Sequence, residues 1–381
     1  HGHAGALSRR NMCCRGRRET CLHGAQENMP ADRDTLLRQL GAPAAHTRYA
    51  GTVSAVETIE THMSWVFVVG EHVVKLKKPV RYPFLDFSTP AAREACCREE
   101  VRLNSRLAPG VYRGVMALQS RVGRLEVVPE AEADAHATTI DWLVWMHRLP
   151  RERMLDRAIA AGRVTTQDID ALAAVLIAFY RGVAVVELDA GEYIARFERE
   201  QALQRELLLR PGFALDAAAL VLDRFDMALQ RHGEALGARA AQRHIVDGHG
   251  DLRPEHVCLL RPPVVIDCLE FNAALRQVDP LDELAFLALE CQLAGAAWIG
   301  PRLMAAYGGG LDDQPDAALL ALYTAYRALL RARLAVAHLL GPQPRSPDRW
   351  LPLARRYIER ALAALDATEL SVSSPTTRGS P

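Results

Sequence analysis

An aspartate stands two residues after a histidine in the stretch HGDLRPEHV, residues 249–257, which lies between two apolar runs. A carboxylate in such a polar loop can accept a proton from a substrate hydroxyl, so Asp251 is the candidate catalytic base. We assign His249 to the same catalytic loop, where its ring would hold the backbone by hydrogen bonds. The alternative is an ordinary turn, because Asp favours turns beside Gly and Pro.

A second carboxylate, Asp267, ends the apolar run VVID sixteen residues further on. A carboxylate at the mouth of a buried strand commonly presents Mg²⁺ to a nucleotide. Glu270 follows closely and is the candidate second oxygen ligand. The alternative is a turn residue at a strand end.

A lysine and a glutamate complete the set earlier in the chain. Lys75 lies within the strand-like run HVVKLKK, where a lysine can point into a cleft and meet phosphate oxygens. Lys77 shares its face and is the rival candidate. Glu100, in the next helix, would pair with Lys75 and orient it. Taken singly, each charge also fits a solvated surface position.

The order of these residues is more specific than any one of them. A Lys on an early strand precedes a Glu on the next helix, an H-x-D loop and a strand that ends in Asp. This is the set of parts that phosphoryl transfer uses on a protein-kinase-like scaffold.

The elements that must position these residues change character once along the chain. Two hairpins are predicted first, with turns at Gly70 and Gly123, followed by an apolar strand at 139–149. One helix, 90–108, interrupts the strands, and Thr89 caps it ahead of a proline in the first turn.

Beyond about residue 150, apolar residues recur every three or four positions, which predicts helices. Two short strand-like runs, 244–250 and 263–271, interrupt them. The sequence thus predicts an α+β, two-lobed protein-kinase-like fold with a small β-rich lobe and a larger helical lobe. The predicted limits are a disordered or spurious extension over 1–28, a small lobe over 29–150 with the hinge at its end, a helical lobe over 151–367 that carries the catalytic loop, and a disordered tail over 368–381.

These motifs resemble the aminoglycoside phosphotransferase-like branch of the kinase-like fold, from about residue 50 to about 340. HGDLRPEHV resembles the catalytic loop and VVIDCLEFN the metal-binding strand end. The small-lobe segments resemble a bacterial subgroup in which some members carry a fused P-loop ATPase domain. No GxxxxGK[ST] occurs in the 381 residues, so we expect that second module to be absent from this chain.

The resemblance implies a role for each residue of the set. Lys75 would contact the α- and β-phosphates of ATP, Glu100 would hold that lysine, and Asp267 would bind Mg²⁺. Backbone groups of the hinge would meet adenine, and the turn at 60–64 would cover the phosphates. The residues implied in these last two roles are Trp145, Met146 and His147 for the hinge and Ser64 for the turn.

Two positions depart from the pattern of the family. His256 stands where a second metal ligand, Asn, is usual, and imidazole is a poor ligand for the hard Mg²⁺ ion. Three interpretations follow: Glu255 or Glu270 supplies the oxygen, one metal ion suffices, or the site binds nucleotide without turnover. Glu283 replaces a usual Asp, and we expect it to brace the catalytic loop.

Composition narrows the class of partner. Lys plus Arg and Asp plus Glu both number 46, which argues against a protein that coats nucleic acid or an acidic membrane. The eight cysteines show no zinc-finger spacing, which favours reduced thiols in the cytoplasm. We therefore expect a hydroxylated small molecule as partner, no nucleic acid and no membrane. The oligomeric state and the choice between ATP and GTP stay open at this stage.

The sequence supports two functions from different classes. The first is a small-molecule kinase that moves the γ-phosphoryl group of ATP to a hydroxyl. The second is a nucleotide-binding pseudokinase with a regulatory or scaffold role, which His256 motivates. A protein kinase fits less well, because the chain lacks a glycine-rich loop and an A-P-E segment.

Overall fold

The strand-rich part of the chain forms a six-stranded antiparallel sheet in the computed structural model of the protein. The structure describes residues 33–82, 85–314, 316–341, 344 and 346–372, with only the backbone from 368 onward. The predicted extension over 1–28 lies outside the described residues.

The strands are, in chain order, β1 (Glu57–Glu60), β2 (Ser64–Val69), β3 (His72–Lys77), β4 (Arg81–Tyr82), β5 (Leu85–Asp86), β6 (Tyr112–Arg121), β7 (Arg124–Pro129), β8 (Thr138–His147), β9 (Val246–Asp247), β10 (Val257–Cys258), β11 (Val264–Val265) and β12 (Gln277–Val278). The helices are α1 (Arg33–Leu40), α2 (Thr47–Ala50), α3 (Pro90–Asn104), α4 (Leu155–Ala160), α5 (Thr166–Gly182), α6 (Ala190–Leu208), α7 (Ala218–Ala241), α8 (Pro280–Leu293), α9 (Ile299–Leu311), α10 (Ala317–Ala337) and α11 (Pro347–Val372).

Both predicted hairpins are present, as β2–β3 and as β6–β7. The sheet order is β1-β2-β3-β8-β6-β7, so the strand predicted at 139–149 lies in the middle of the sheet. It pairs with β3 on one side and with β6 on the other, so its backbone forms hydrogen bonds to a neighbouring strand along both edges.

The alternation of side chains along β3 divides the sheet into two unlike faces. Val74 and Leu76 are fully buried on one face, in an apolar cluster that packs against α1. Lys75 and Lys77 point to the opposite face, because neighbouring residues of a strand alternate. That face meets α3 and the large lobe, so the strand sends two lysines toward the cleft between the lobes.

The helix α3 begins as predicted and ends earlier. The Oγ1 of Thr89 accepts a hydrogen bond from the backbone N–H of Ala92 at 3.2 Å, and Pro90 occupies the first turn. The helix stops at Asn104 rather than at 108. Glu100 and Asn104 are one turn apart and share the face that meets the cleft.

The large lobe is built around one apolar cluster contributed chiefly by the helices from α4 onward. The helix α8 is buried along most of its length, and α11 packs on α10 and α7. The backbone of α11 stays helical past Thr368, where the disordered tail was predicted to begin, as far as Val372. Within the described part of the chain, no helix combines the length and the apolar character that a bilayer crossing requires.

Candidate active site

Lys75 joins the two lobes. Its Nζ donates to Glu100 Oε1 at 3.0 Å and to Asp267 Oδ1 at 2.8 Å. The side chain is 15% exposed, so the ammonium group lies at the edge of the cleft. The structure therefore brings together the predicted lysine, its glutamate and the predicted metal ligand.

The rival lysine has a different environment. Lys77 is only 1% exposed, and its Nζ contacts Glu100 Oε2 and Glu270 Oε1. Glu100 thus bridges both lysines, one through each carboxylate oxygen. Lys77 is thus sealed below the sheet, whereas Lys75 is the more exposed of the two lysines.

Glu270, the predicted second oxygen ligand, is already committed within this cluster. Its Oε1 accepts from Lys77 and lies 3.5 Å from Cys96 Sγ, with a side chain only 9% exposed. In the structure Glu270 neutralises a buried lysine, and a buried ammonium group without a partner is costly. Its assignment as a metal ligand stays a prediction.

Asp267 is held in a conformation that few residue types adopt. It follows β11 with a φ of 62°, a left-handed value for which Asp and Asn are favoured among residues other than glycine. Its N–H donates to the Tyr112 hydroxyl at 3.2 Å, and the next N–H, that of Cys268, donates to Asn104 Oδ1 at 2.9 Å. The helix that supplies Glu100 thus also fixes the loop that carries Asp267.

The catalytic loop is shaped by hydrogen bonds to His249, as predicted. Nε2 of this buried ring donates to the Ile266 carbonyl at 2.9 Å, and Nδ1 accepts the N–H of Asp251 at 3.2 Å. The ring therefore ties the loop to the strand end before Asp267. Both ring nitrogens are used in this way, so His249 holds the loop by hydrogen bonds. Its assignment to a catalytic site stays a prediction.

Glu283, in α8, braces the same loop from below, as the sequence predicted. Its Oε1 accepts the backbone N–H groups of His249 and Gly250, while its Oε2 accepts the Tyr180 hydroxyl at 2.9 Å. The loop approaches so closely that a Cβ added at Gly248 would lie 2.8 Å from Glu283 Oε2. A larger residue at that position would push the loop off its support.

Asp251 and Asp267 are linked through His256. The ring Nδ1 lies 2.8 Å from the Asp251 carbonyl oxygen and 3.8 Å from Asp251 Oδ2, while Nε2 lies 3.5 Å from Asp267 Oδ2. Arg253 adds a 2.9 Å ion pair to Asp251 Oδ2. Lys75, Asp267, His256 and Asp251 thus form one continuous series of contacts at the cleft.

The charges of this cluster stabilise the ionised carboxylates. Desolvation alone would raise the pKa of Asp267, but the charges of Lys75 and His256 outweigh it and hold that pKa well below its usual range. Desolvation likewise opposes ionisation of Asp251, and the nearby Arg253 lowers its pKa overall. Both carboxylates are therefore anionic at neutral pH.

Replacing His249 by Gln is expected to reduce the loss of stability in acid. Desolvation, together with the charge of His256, lowers the pKa of His249 to about 4 in the folded protein, against 6.5 for a free histidine. A depressed pKa means that the stabilisation is complete above pH 6.5 and is lost as the pH falls toward 4. The whole shift corresponds to about 3 kcal/mol of unfolding free energy.

Urea unfolding of the wild type and of His249→Gln at pH 7 and pH 4.5 measures this effect. The wild type should lose more unfolding free energy between the two pH values than the variant does. Equal losses would show that the ring titrates normally in the folded protein.

Ser64 is buried at the start of β2. Its side chain is 1% exposed on the lysine face of the sheet, and its N–H donates to Thr61 Oγ1 at 3.0 Å. Ser64 is thus buried beside Lys77, and its role as a phosphate donor stays a prediction. The turn at 61–63 lies between β1 and β2, and Lys78 Nζ donates to the Thr61 carbonyl at 2.7 Å.

The backbone groups predicted to meet adenine are likewise engaged elsewhere. Trp145 and Met146 pair with both neighbouring strands, and the N–H of His147 donates to the Val111 carbonyl at 2.8 Å. The pairing of β8 on both edges thus engages much of this backbone, and the hinge contacts expected at these three residues stay a prediction. Side chains of both lobes, including those of Met146 and Ile266, do meet in an apolar cluster beside the cleft.

The donor atoms of the site fit a divalent cation only in part. Asp267 is 47% exposed and keeps Oδ2 clear of Lys75, which suits a hard cation. His256 stands at the position expected for a second metal ligand. It offers an imidazole nitrogen instead of an oxygen, and imidazole does not suit Mg²⁺. Within the described residues, no cluster of three or more His, Cys, Asp and Glu side chains is arranged to hold a metal ion by itself.

Three functional positions were missed by reasoning from the sequence. They are Asn104 and Tyr112, which hold the Asp267 loop, and Arg253, which pairs with Asp251. Asn104 follows Glu100 by one helical turn, and that spacing could have indicated it. Arg253 lies within the stretch HGDLRPEHV, but the direction of its side chain depends on the turn that follows. Tyr112 carried no comparable signal.

Known proteins of similar sequence include two mycobacterial relatives. No protein-family model matches the chain. The chain is 29% identical over 318 residues to the uncharacterized protein Rv2004c of Mycobacterium tuberculosis (strain ATCC 25618 / H37Rv), and equally to the uncharacterized protein Mb2027c of Mycobacterium bovis. The match covers 81% of this chain and 61% of each relative, so the chain spans less than two thirds of their length.

Solved structures of similar fold are small-molecule kinases by their names. A choline/ethanolamine kinase family protein from Mesorhizobium loti superposes with a TM-score of 0.52 at 17% identity, covering 88% of this chain and 97% of that one. A glucosamine kinase gives 0.52 at 17% identity, over 84% and 79% of the two chains. A choline kinase from Cryptosporidium parvum gives 0.50 at 12% identity, over 83% and 90%. These likenesses confirm the predicted two-lobed, kinase-like α+β fold.

Proposed function

We propose that this chain is a phosphotransferase that moves the γ-phosphoryl group of ATP to a hydroxyl of a small molecule. The observation that carries the proposal is that Lys75, Asp267 and Asp251 lie together where the two lobes meet. One contact of 2.8 Å joins Lys75 Nζ to Asp267 Oδ1, and His256 lies between the two aspartates. The kinase names of the structural neighbours agree with this function class.

The charged groups suggest how the chain would hold the nucleotide. Lys75, kept charged by Asp267 and Glu100, would turn to the α- and β-phosphates when the nucleotide enters, because phosphate oxygens compete for its N–H donors. Glu100 would retain it through the second contact. A divalent cation at Asp267, when bound, would neutralise charge on the phosphates.

Asp251 would act on the acceptor. Its carboxylate is ionised at neutral pH and would accept the proton of the acceptor hydroxyl as the hydroxyl oxygen attacks the γ-phosphorus. The new O–P bond replaces the bond to the β-phosphate, and ADP leaves with that bridging oxygen. Arg253 and His249 fix the carboxylate and its loop in place.

The proposed use of ATP and the reduced state of the cysteines both favour the cytoplasm as the location of the protein. The five described cysteines, Cys96, Cys97, Cys258, Cys268 and Cys291, are all free and buried. Unpaired thiols agree with a reducing compartment. We include a cytoplasmic location in the proposal for this reason.

A pseudokinase is the second candidate, and His256 is the observation that favours it. The imidazole occupies the position of the second metal ligand and contacts both essential carboxylates. Such a site would bind nucleotide and use the binding to hold the two lobes together without turnover.

An ATP-consumption screen separates the two candidates. ADP release would be measured with Mg²⁺ and with Mn²⁺ over choline, ethanolamine and glucosamine, which appear in the names of the structural neighbours, and over aminoglycosides and other hydroxylated metabolites. We expect at least one acceptor to raise ADP release well above the acceptor-free rate. Thermal stabilisation by ATP without turnover would favour the pseudokinase, and absence of both would reject nucleotide binding altogether.

A further inference from the structure

Arg106 lies two residues beyond the end of α3, and its side chain contacts three separate segments of the chain. Nε donates to the Leu103 carbonyl at 3.0 Å, which ties the guanidinium group to the end of α3. Nη1 donates to the Asp247 carbonyl at 2.8 Å, and Nη2 donates to the Gly248 carbonyl at 3.0 Å. Nη2 also lies 3.4 Å from Cys268 Sγ. Arg106 therefore joins the end of a small-lobe helix to two segments of the large lobe.

These two large-lobe segments carry the candidate catalytic base and the candidate metal ligand. Gly248 stands three residues before Asp251, and Cys268 follows Asp267 directly. A displacement of the Gly248 carbonyl or of the Cys268 side chain would therefore reach a carboxylate through a very short stretch of backbone. Arg106 thus holds positions close to both groups that the proposed function requires.

The orientation of the Arg106 guanidinium group is fixed by its surroundings. Asp247 Oδ2 accepts from Nη1 at 3.0 Å, and Cζ lies 5.2 Å from the centre of the Phe179 ring, in α5. The other oxygen of Asp247 accepts from Arg276 Nε at 2.9 Å, and Arg276 Nη1 donates to the Leu269 carbonyl at 2.8 Å. Asp247 therefore orients two arginines that hold the backbone of the two segments.

The number and directions of these acceptors suit arginine and not lysine. A guanidinium group has five N–H donors in one plane, whereas an ammonium group is a compact charge on a flexible stem. A lysine here could stay paired with Asp247, but it could not reach Gly248 and Cys268 as well. Gly248 is buried, and a buried carbonyl that loses its donor is costly. An exchange of Arg106 for Lys therefore keeps the charge and removes the bridge.

We propose that Arg106 is a positioning residue that joins α3 to both segments and thereby sets the separation of Asp251 and Asp267. The inference rests on the proposed function, in which a phosphoryl group passes from a nucleotide beside Asp267 to a hydroxyl at Asp251. A misplacement of about 1 Å can lower a rate by about 10²-fold, even when the altered residue is distant from the chemistry. We therefore expect Arg106 to act on kcat, with little effect on nucleotide binding.

Hydrogen exchange tests the bridge without any need for turnover. The full chain is compared as wild type and as Arg106→Lys, and deuterium uptake is followed in peptides that span 247–252 and 266–270. In the variant we expect exchange in both segments to rise by about tenfold or more, because their hydrogen bonds open more often. One such bond joins the Leu269 N–H to the His249 carbonyl at 3.0 Å. Unchanged exchange, or a rise in only one segment, would overturn the inference.

Arg196→Lys is the matched control. Arg196 is half-buried like Arg106, and it also donates to backbone carbonyls, those of Ala274 at 3.3 Å and Gln277 at 2.6 Å. Its Cζ lies 5.8 Å from the centre of the Tyr193 ring, so it too is covered by an aromatic side chain. The control should leave kcat and the exchange of both segments unchanged. Equal changes in the control would assign the effect to the loss of any such arginine and would overturn the inference.

Kinetics separate a positioning role from a purely structural one. For Arg106→Lys we expect kcat to fall by about 10- to 100-fold with the best acceptor from the screen. The KM for ATP and the dissociation constant of ADP should stay within about twofold of the wild-type values. A purely structural arginine would lower the unfolding free energy in urea and leave kcat of the folded protein unchanged. That result would overturn the inference.

Asp247→Asn is the second variant, and it decides the matter if Arg106→Lys does not fold. It keeps the carbonyl that accepts from Arg106 and removes the charge that orients the guanidinium group, so both segments should again exchange faster. Absence of turnover in the wild type would reject the phosphotransferase, while the exchange data would still support or overturn the bridge. Turnover together with unchanged exchange in the variants would retain the phosphotransferase and reject the inference.

Discussion

The Asp267→Ala variant is expected to lower the rate of ADP release by roughly 10³-fold or more. Asp267 supplies the carboxylate oxygen of the cluster that lies clear of Lys75, and its other oxygen holds that lysine across the cleft at 2.8 Å. Loss of the carboxylate removes about 4 kcal/mol of transition-state charge stabilisation, the order expected for a metal-assisted step. The measurement is the steady-state rate with the best acceptor from the screen.

Backbone strain is the competing explanation and can be separated. Ala is strained at the φ of 62° found at this position, whereas Asn tolerates it, so Asp267→Asn should keep the fold and still lose activity. Asp170→Ala is the matched control, since that carboxylate is 51% exposed and likewise pairs with a cation, Arg302, at 2.6 Å. The control should retain wild-type rates. Full turnover in Asp267→Asn would remove Asp267 from the metal-binding role.

Elements defined by local patterns were predictable from the sequence. The β2–β3 hairpin follows from alternation around a glycine turn, and α3 begins where Thr89 and Pro90 indicate it. The pairing of Lys75 with Glu100 was predicted from the order of elements rather than from distance, and the structure places the two groups 3.0 Å apart. The support of the 249–250 backbone by Glu283 was predicted from the resemblance to the family, in which an Asp is usual at this position.

Features that depend on nonlocal pairing could not be predicted. The strand β8 lies between β3 and β6, which are distant from each other in sequence, and no local pattern indicates this order. The alternation of side chains along β2 places Ser64 on the same face of the sheet as Lys77. The burial of Ser64, however, depends on the packing of α3 and the large lobe against that face. The capture of Glu270 by Lys77 joins residues 193 positions apart, and no local pattern encodes such a contact.

The cluster of charges below the sheet explains why two lysines are tolerated there. Lys75 and Lys77 share Glu100, and each has a further carboxylate from the large lobe, Asp267 or Glu270. The pKa of both lysines is raised well above the usual value, since the carboxylate charges outweigh the desolvation that would lower it. A nucleotide would contact Lys75 and leave Lys77 in place. The buried ion pairs of Lys77 with Glu100 and Glu270 would therefore keep the lobes connected during binding.

Asp251→Asn is expected to reduce kcat by 10²- to 10⁴-fold, the usual loss when a positioned base is removed. The amide keeps the shape of the side chain but cannot accept the proton of the acceptor hydroxyl. In the proposed function other groups would hold the nucleotide, chiefly Lys75 and a cation at Asp267, so its dissociation constant should change little. Single-turnover rates and ADP affinity by calorimetry measure the two effects separately.

Glu200→Gln provides the matched control for this amide substitution. Glu200 is 26% exposed against 24% for Asp251, and each carboxylate pairs with an arginine, Arg333 or Arg253. The control should leave kcat unchanged, which shows that amidation of a half-buried, arginine-paired carboxylate is harmless in itself. A loss confined to nucleotide affinity in Asp251→Asn would instead place Asp251 on the phosphate side of the site. Unchanged kcat with intact affinity would mean that the acceptor hydroxyl loses its proton elsewhere, and Asp251 would then serve only to hold Arg253 in the loop.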